Sequence, residues 1–204
     1  MKEYRDHYFL KAKRENYPAR SVYKLQELDA KFHLLKSGQA VLDLGAAPGS
    51  WSLYAAQKIG ANGLVLACDL KPITISLPGQ IAFFTEDVFE RSPAFEETLR
   101  AKGPFDLVMS DMAPATTGSV FTDQARSFAL AEEAFHVAEE YLKENGNFVV
   151  KIFMGPDMQS LIAAMRTAFS AVKTFKPKSS RSESKETFIT GLGFCGRGSA
   201  SSGS

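Results

Sequence analysis

The chain has 204 residues, is 45% hydrophobic and carries a formal net charge of +1. That supplies one sizeable core, and with no run of about 18 apolar residues it excludes a transmembrane helix. The charge is uneven: residues 1–40 hold nine Lys/Arg against five Asp/Glu, residues 41–170 nine against sixteen, and residues 171–204 six against two. Two basic ends flank an acidic middle. A fold that brings the ends together makes a cationic face of the kind RNA requires, although Lys-rich ends also arise for solubility alone. The charged start, Met1–Asp6, leads into no apolar stretch, so no secretory signal is expected. Cys68 and Cys195 make no disulfide framework, and His7, His33 and His136 lack metal-ligand spacing. A reducing cytoplasm is the expected home.

Residues 2–16 are polar and basic with interleaved aromatics, including Tyr4, Tyr8, Phe9, Lys11 and Arg14, a pattern that suits a nucleic-acid arm or a docked helix. Pro18 fits a first helical position, and Val22, Leu25, Leu28 and Phe32 then recur at helical spacing. Lys24 lies beside that stripe, which alone gives it no role.

Val41–Leu44 reads as a buried strand, followed by the small-residue turn Gly45–Ser50 and a helix over Trp51–Ile59. Gly45 and Gly49 let backbone approach a ligand or take positive φ, and ligands of open α/β sheets sit at the carboxyl ends of such strands. The turn lacks the G-x-G-x-x-G spacing of a dinucleotide fingerprint, and Pro48 removes a donor that a pyrophosphate would use. A nucleoside-type ligand without phosphates fits better, S-adenosylmethionine (SAM) being the common one.

Leu64–Cys68 is a second strand, and Asp69 at its end suits the hydroxyls of a ribose. Ile81–Thr85 is a third, followed by Glu86-Asp87, an acceptor for an adenine amino group. Pro93–Lys102 reads as a helix and Phe105–Met109 as a fourth strand, ending in Asp111. A long amphipathic helix is expected over Asp123–Lys143, capped near Thr122 and closed around Asn145-Gly146. Asn147–Phe153 is the fifth strand, and Lys151 within it is costly unless paired or deprotonated. A helix over Met158–Ser170 precedes strands at Ala171–Phe175 and Thr187–Phe194. The alternation predicts an α/β fold with a mostly parallel sheet between helix layers. Residues 1–195 read as one domain with a basic arm over 1–17, and the Gly/Ser-rich 196–204 as a disordered tail.

Four segments, DLGAAPGSW (43–51), SDMAP (110–114), VVKIF (149–153) and SSRSESKETF (179–188), resemble the FtsJ/RrmJ family of SAM-dependent ribosomal RNA 2′-O-methyltransferases. The similarity runs in register from about Tyr17 to Phe194. It implies a Rossmann-like methyltransferase fold and a catalytic tetrad of Lys24, Asp111, Lys151 and Glu186, with cofactor contacts at Gly49, Trp51, Asp69, Asp87 and Asp111 beside the Gly45 turn. Lys151 would steer and deprotonate a ribose 2′-hydroxyl, Asp111 would orient Lys151, Lys24 would hold nucleotide or balance charge, and Glu186 would orient the substrate side. Ser50 departs from the glycine that many members carry, Ala115 from the Asn that bacterial relatives often have, and Glu183 adds a negative charge to an otherwise basic segment.

The activity implied is methylation of a uridine of 23S ribosomal RNA in the large ribosomal subunit by a monomer that uses no metal and no membrane. The alternatives are another RNA, such as tRNA, or a non-catalytic RNA-binding protein on the same fold. A nicotinamide-dependent oxidoreductase is disfavoured by the turn.

Overall fold

A computed structural model describes residues 7–181 and 183–196. Most of the expected tail and the first six residues of the expected arm lie outside the described residues. Among the described residues, β1 (Ala40–Leu44), β2 (Leu64–Asp69), β3 (Ile81–Thr85), β4 (Phe105–Ser110), β5 (Leu142–Phe153), β6 (Phe169–Phe175) and β7 (Glu186–Phe194) form one sheet. Its order is β3-β2-β1-β4-β5-β7-β6. The first five strands pair in parallel, and β7 enters antiparallel between β5 and β6. The mostly parallel sheet expected from the alternation is present.

Among the described residues there are six helices: α1 (His7–Arg14), which packs on α2 (Val22–Phe32), and α3 (Ser50–Ile59), α4 (Pro93–Lys102), α5 (Val120–Tyr141) and α6 (Met158–Ala168). Strand alternation sends Val149 and Phe188 to one face, under Leu25 and Leu28 of α2 and Trp51 and Ala55 of α3. Phe148, Val150 and Ile152 go to the other, against Phe135 and Ala138 of α5 and Leu161 and Met165 of α6. No helix among the described residues is long and apolar enough to cross a membrane.

Several boundaries differ from the sequence reading. Helix α2 starts at Val22 rather than Pro18, because the preceding residues are tied to the start of the next helix: Ala19 N donates to Ser50 Oγ at 2.8 Å and Trp51 Nε1 to Ser21 O at 2.9 Å. Helix α5 starts at Val120, where the Ser119 hydroxyl accepts from Thr122 N, and it stops at Tyr141. Lys143 therefore belongs to β5, with its Nζ 2.9 Å from Asp106 Oδ1. The expected Asn145-Gly146 turn is an irregularity within β5, where pairing with β4 jumps from Phe105–Leu142 to Leu107–Asn147 and Asn145 takes φ 63. Helix α6 ends at Ala168, since Phe169 in β6 stacks on Phe148 and packs at a tilt against Phe194, with centroids 6.3 and 5.4 Å away. Of the two readings of residues 2–16, residues 7–14 adopt the docked helix, with Ala12 buried and Tyr8 against Tyr23.

Asp29 locks α2 to α3. Its carboxylate accepts from Leu35 N and from Tyr54 OH, each at 2.9 Å, and Lys58 lies 3.5 Å away. Only 5% of Asp29 is exposed, so removing it strands two donors away from water. Asp29→Ala should lower stability by about 1–3 kcal/mol in urea unfolding. An unchanged midpoint at unchanged slope would mean those donors find other partners.

Candidate active site

At the end of β1 the chain turns sharply into α3. Gly45 N donates to Cys68 O at 2.9 Å with φ 77, and a Cβ on Gly45 would stand 2.5 Å from Met112 Cγ. Any larger residue there would push the segment after β4 away. Gly49, with φ 107, is the N-cap of α3.

Beside this turn lies a cavity of about 430 Å³, walled by Gly45, Asp69, Asp87 and Asp111 together with the apolar Val88 and Met112. The two outer acids are held by backbone. Asp69 accepts from Ala47 N at 2.9 Å and Lys71 N at 2.8 Å, and Asp87 accepts from Phe89 N at 2.9 Å. Behind the wall, Asp43 is fully buried; Ser52 Oγ donates to its Oδ2 at 2.5 Å and its Oδ1 has no partner. Burial pushes the Asp43 carboxyl up to about 7, with the fields of Asp111 and Asp69 adding to the shift. A site with this many carboxyls repels a pyrophosphate and favours a cation. An adenosyl sulfonium fits its acid rim and apolar walls.

The tetrad follows from strand register. Ser110 pairs with Val150, so Asp111 falls beside Lys151. The Lys151 ammonium donates to Asp111 Oδ1 at 2.8 Å and also to the main-chain carbonyl of Asp111. Lys151 pairs with Phe188 and Phe153 with Glu186, which sets Lys151 and Glu186 diagonally on one face. From above, Lys24 of α2 brings its Nζ to 2.6 Å from Glu186 Oε1, and Ser180 Oγ donates to the same oxygen at 2.9 Å. Burial raises the Glu186 carboxyl, but Lys24, Ser180 and Lys151 outweigh it and hold the group below the usual carboxylate range.

The four residues therefore stand as two adjoining ion pairs. Asp111 opens onto the first cavity, while Lys24 and Glu186 open onto a second of about 390 Å³ shared with Arg20, Arg181 and Ser184. Lys151, only 7% exposed, lies between.

The structure brings Gly45, Asp69, Asp87 and Asp111 to the first cavity and leaves Gly49 and Trp51 off its wall. Trp51 is buried against Phe188, centroids 5.8 Å apart, and its indole N–H serves Ser21. Sequence reasoning missed Ser180, which lies in the quoted 179–188 segment yet carries no spacing signal of its own. It also missed Ser50, whose hydroxyl accepts from Ala19 N and donates to Ala19 O. That serine ties the turn to the segment leading into Lys24.

A family model described as FtsJ-like methyltransferase matches residues 17–194. A protein of Oleidesulfovibrio alaskensis named ribosomal RNA large subunit methyltransferase E is 66% identical over 196 residues, covering 96% of this chain and 95% of its own. One of the same name from Bdellovibrio bacteriovorus is 50% identical, over 92% of this chain and 96% of its own. Among solved structures, a putative ribosomal RNA methyltransferase from Plasmodium falciparum superposes with a TM-score of 0.76 at 27% identity, over 89% of this chain and 100% of that one.

The buried Asp43 gives a pH signature. Its carboxyl is raised in the folded state, so the stability it permits is full below the unfolded carboxylate range and is lost as pH climbs through about 7. Asp43→Asn should flatten the decline in unfolding free energy between about pH 4 and 7, measured by urea titration at each pH. Parallel curves for the two proteins would show that Asp43 ionises freely in the fold.

Proposed function

The chain belongs to the FtsJ-like methyltransferase family, and on that premise we propose that it transfers a methyl group from SAM to the 2′-hydroxyl of a ribose in large-subunit ribosomal RNA, the target being a uridine of the 23S molecule. The observation that carries this reading is a buried, paired lysine between two cavities, one acid-rimmed and one where Arg20, Lys24 and Arg181 stand with Glu183 and Glu186. The names borne by relatives that match nearly end to end support the ribosomal substrate.

Bound SAM supplies an electrophilic methyl carbon. The chain's own residues hold the second reactant and manage its proton. Lys151 holds the ribose 2′-hydroxyl and, in its neutral amine form, takes up the proton as the oxygen bonds to the methyl carbon and the carbon–sulfur bond breaks, becoming the ammonium that Asp111 pairs with. The hydroxyl is a poor acid and a poor nucleophile while protonated. Asp111 fixes the Lys151 ammonium group through both its carboxylate and its carbonyl. Glu186, kept ionised by Lys24 and Ser180, presents fixed negative charge to the sugar side, and Lys24 stands next to it toward the nucleotide. Asp69 and Asp87 hold the nucleoside end of the cofactor.

Two outcomes test the reading. Lys151→Ala should leave SAM affinity nearly intact and slow methyl transfer to large ribosomal subunits by about 10² or more. Lys151→Arg should not restore the rate, because a guanidinium keeps its proton and differs in shape. Near-full activity in either variant contradicts the assignment of Lys151. Separately, Asp69→Ala should weaken SAM binding by roughly 1–3 kcal/mol in titration calorimetry, and an unchanged affinity removes Asp69 from the cofactor site.

A further inference from the structure

Helix α2 borders two hollows. One, described above, opens onto Lys24 and Glu186. The other, of about 540 Å³, lies further along the same helix between α1, α2 and the end of β6, and Tyr8, Lys11, Glu27, Lys31, Phe175 and Lys178 line it. Lys24 and Lys31 are seven residues apart, two turns of one helix face and about 10 Å along its axis. The segment after β6 links the hollows as well, for Lys178 lines the second while Arg181 and Ser184 line the first.

The charge of the second hollow is one-sided. Its one acid, Glu27, accepts from Lys178 N at 2.7 Å and from Ser179 N at 2.8 Å, so its carboxylate is committed to holding the segment after β6. Lys31 lies 4.5 Å over the Phe175 ring, and neither Lys31 nor Lys178 has an ion-pair partner among the described residues. Lys11 lies 4.5 Å over the Tyr23 ring, and its ion pair with Glu15 is a long surface one, at 3.9 Å, which is worth little in water. Cations spaced around an aromatic floor suit a single nucleic-acid strand, with phosphates on the lysines and a base against Phe175 or Tyr8.

We infer that this hollow is a second RNA-contact site, which holds the single-stranded segment flanking the target nucleotide as it leaves the Lys24–Glu186 cavity along α2. The inference rests on the reading of the chain as an RNA methyltransferase, and it concerns grip on the substrate rather than the chemical step.

The test uses the full chain with Lys31→Glu and Lys178→Glu combined, and Lys31→Gln with Lys178→Gln as a milder pair. Methyl transfer from labelled SAM to large-subunit RNA should show KM raised about tenfold or more by charge reversal, with kcat and SAM affinity unchanged. Loss of two single-strand phosphate contacts should make the log–log salt dependence of RNA binding shallower by about 1.4. Phe175→Ala should raise KM without altering that slope. Unchanged SAM affinity certifies the fold, and should the reversed pair fail to fold, the Gln pair answers the same question.

RNA binding by the Lys151→Ala chain, followed by fluorescence polarisation, gives a readout independent of turnover. A wild-type chain that methylates RNA while the charge variants keep KM and salt slope overturns the second site alone. A wild-type chain that binds but does not methylate RNA overturns the activity and leaves the site standing. Charge variants that lose binding to an acidic peptide while keeping RNA affinity would assign the hollow to a protein partner and overturn the inference.

Discussion

The constraint on which the site depends is the burial of the Lys151 ammonium group inside a sheet. An isolated ion at 7% exposure would cost several kcal/mol, so its position demands a partner delivered by the fold itself. Parallel pairing of β4 with β5 delivers it, because the residue after Ser110 must then stand beside the residue after Val150. All parallel strands finish at one edge of the sheet, and an antiparallel strand begins there. That is why the first residue of β7, Glu186, arrives at the end of β5 although it follows Lys151 by two further elements. Lys24 then neutralises Glu186 from the helix layer. The two pairs depend on each other: removing one lysine leaves a carboxylate facing the remaining charges.

The uneven charge along the chain acquires a spatial meaning in this frame. Acids of the central segment stand at the carboxyl ends of β2, β3 and β4 and rim the first cavity, where they suit a cationic ligand. Bases from the two terminal segments meet across α2 and the segment after β6, around Lys24 and again around Lys31. A cationic cofactor and a polyanionic substrate thus meet Lys151 from two sides, one walled mainly by acids and the other carrying three bases beside Glu183 and Glu186. The ties that hold α2 in place, Ser50 to Ala19, Trp51 to Ser21 and Asp29 to Tyr54, keep the basic side in register with the turn.

Much of this was legible from the sequence because it rests on local pattern. Apolar runs ending in Asp43, Asp69 and Asp111 mark parallel strand ends, and a lysine inside Val149-Val150-Lys151-Ile152-Phe153 marks a buried charge in search of a partner. The insertion of β7 between β5 and β6 was not legible, since strand order leaves no trace in hydrophobic period. The start of β5 was missed because Leu142–Gly146 reads as helix end and turn, whereas pairing with β4 and the Lys143–Asp106 contact draw it into the sheet. Trp51 shows the limit of motif reasoning: its neighbours form the turn, but helical rotation aims its indole into the core against Phe188. Ser180 and Ser50 act through single hydroxyls, and nothing in their spacing separates them from other serines.

The account stands or falls on where the methyl group lands. Large ribosomal subunits lacking the modification should be incubated with the protein and labelled SAM, and the RNA digested to nucleosides and mapped. The account predicts label in one 2′-O-methyluridine of the 23S molecule, at a position resistant to cleavage that requires a free 2′-hydroxyl. Label on a base, or on no large-subunit nucleotide, would contradict it.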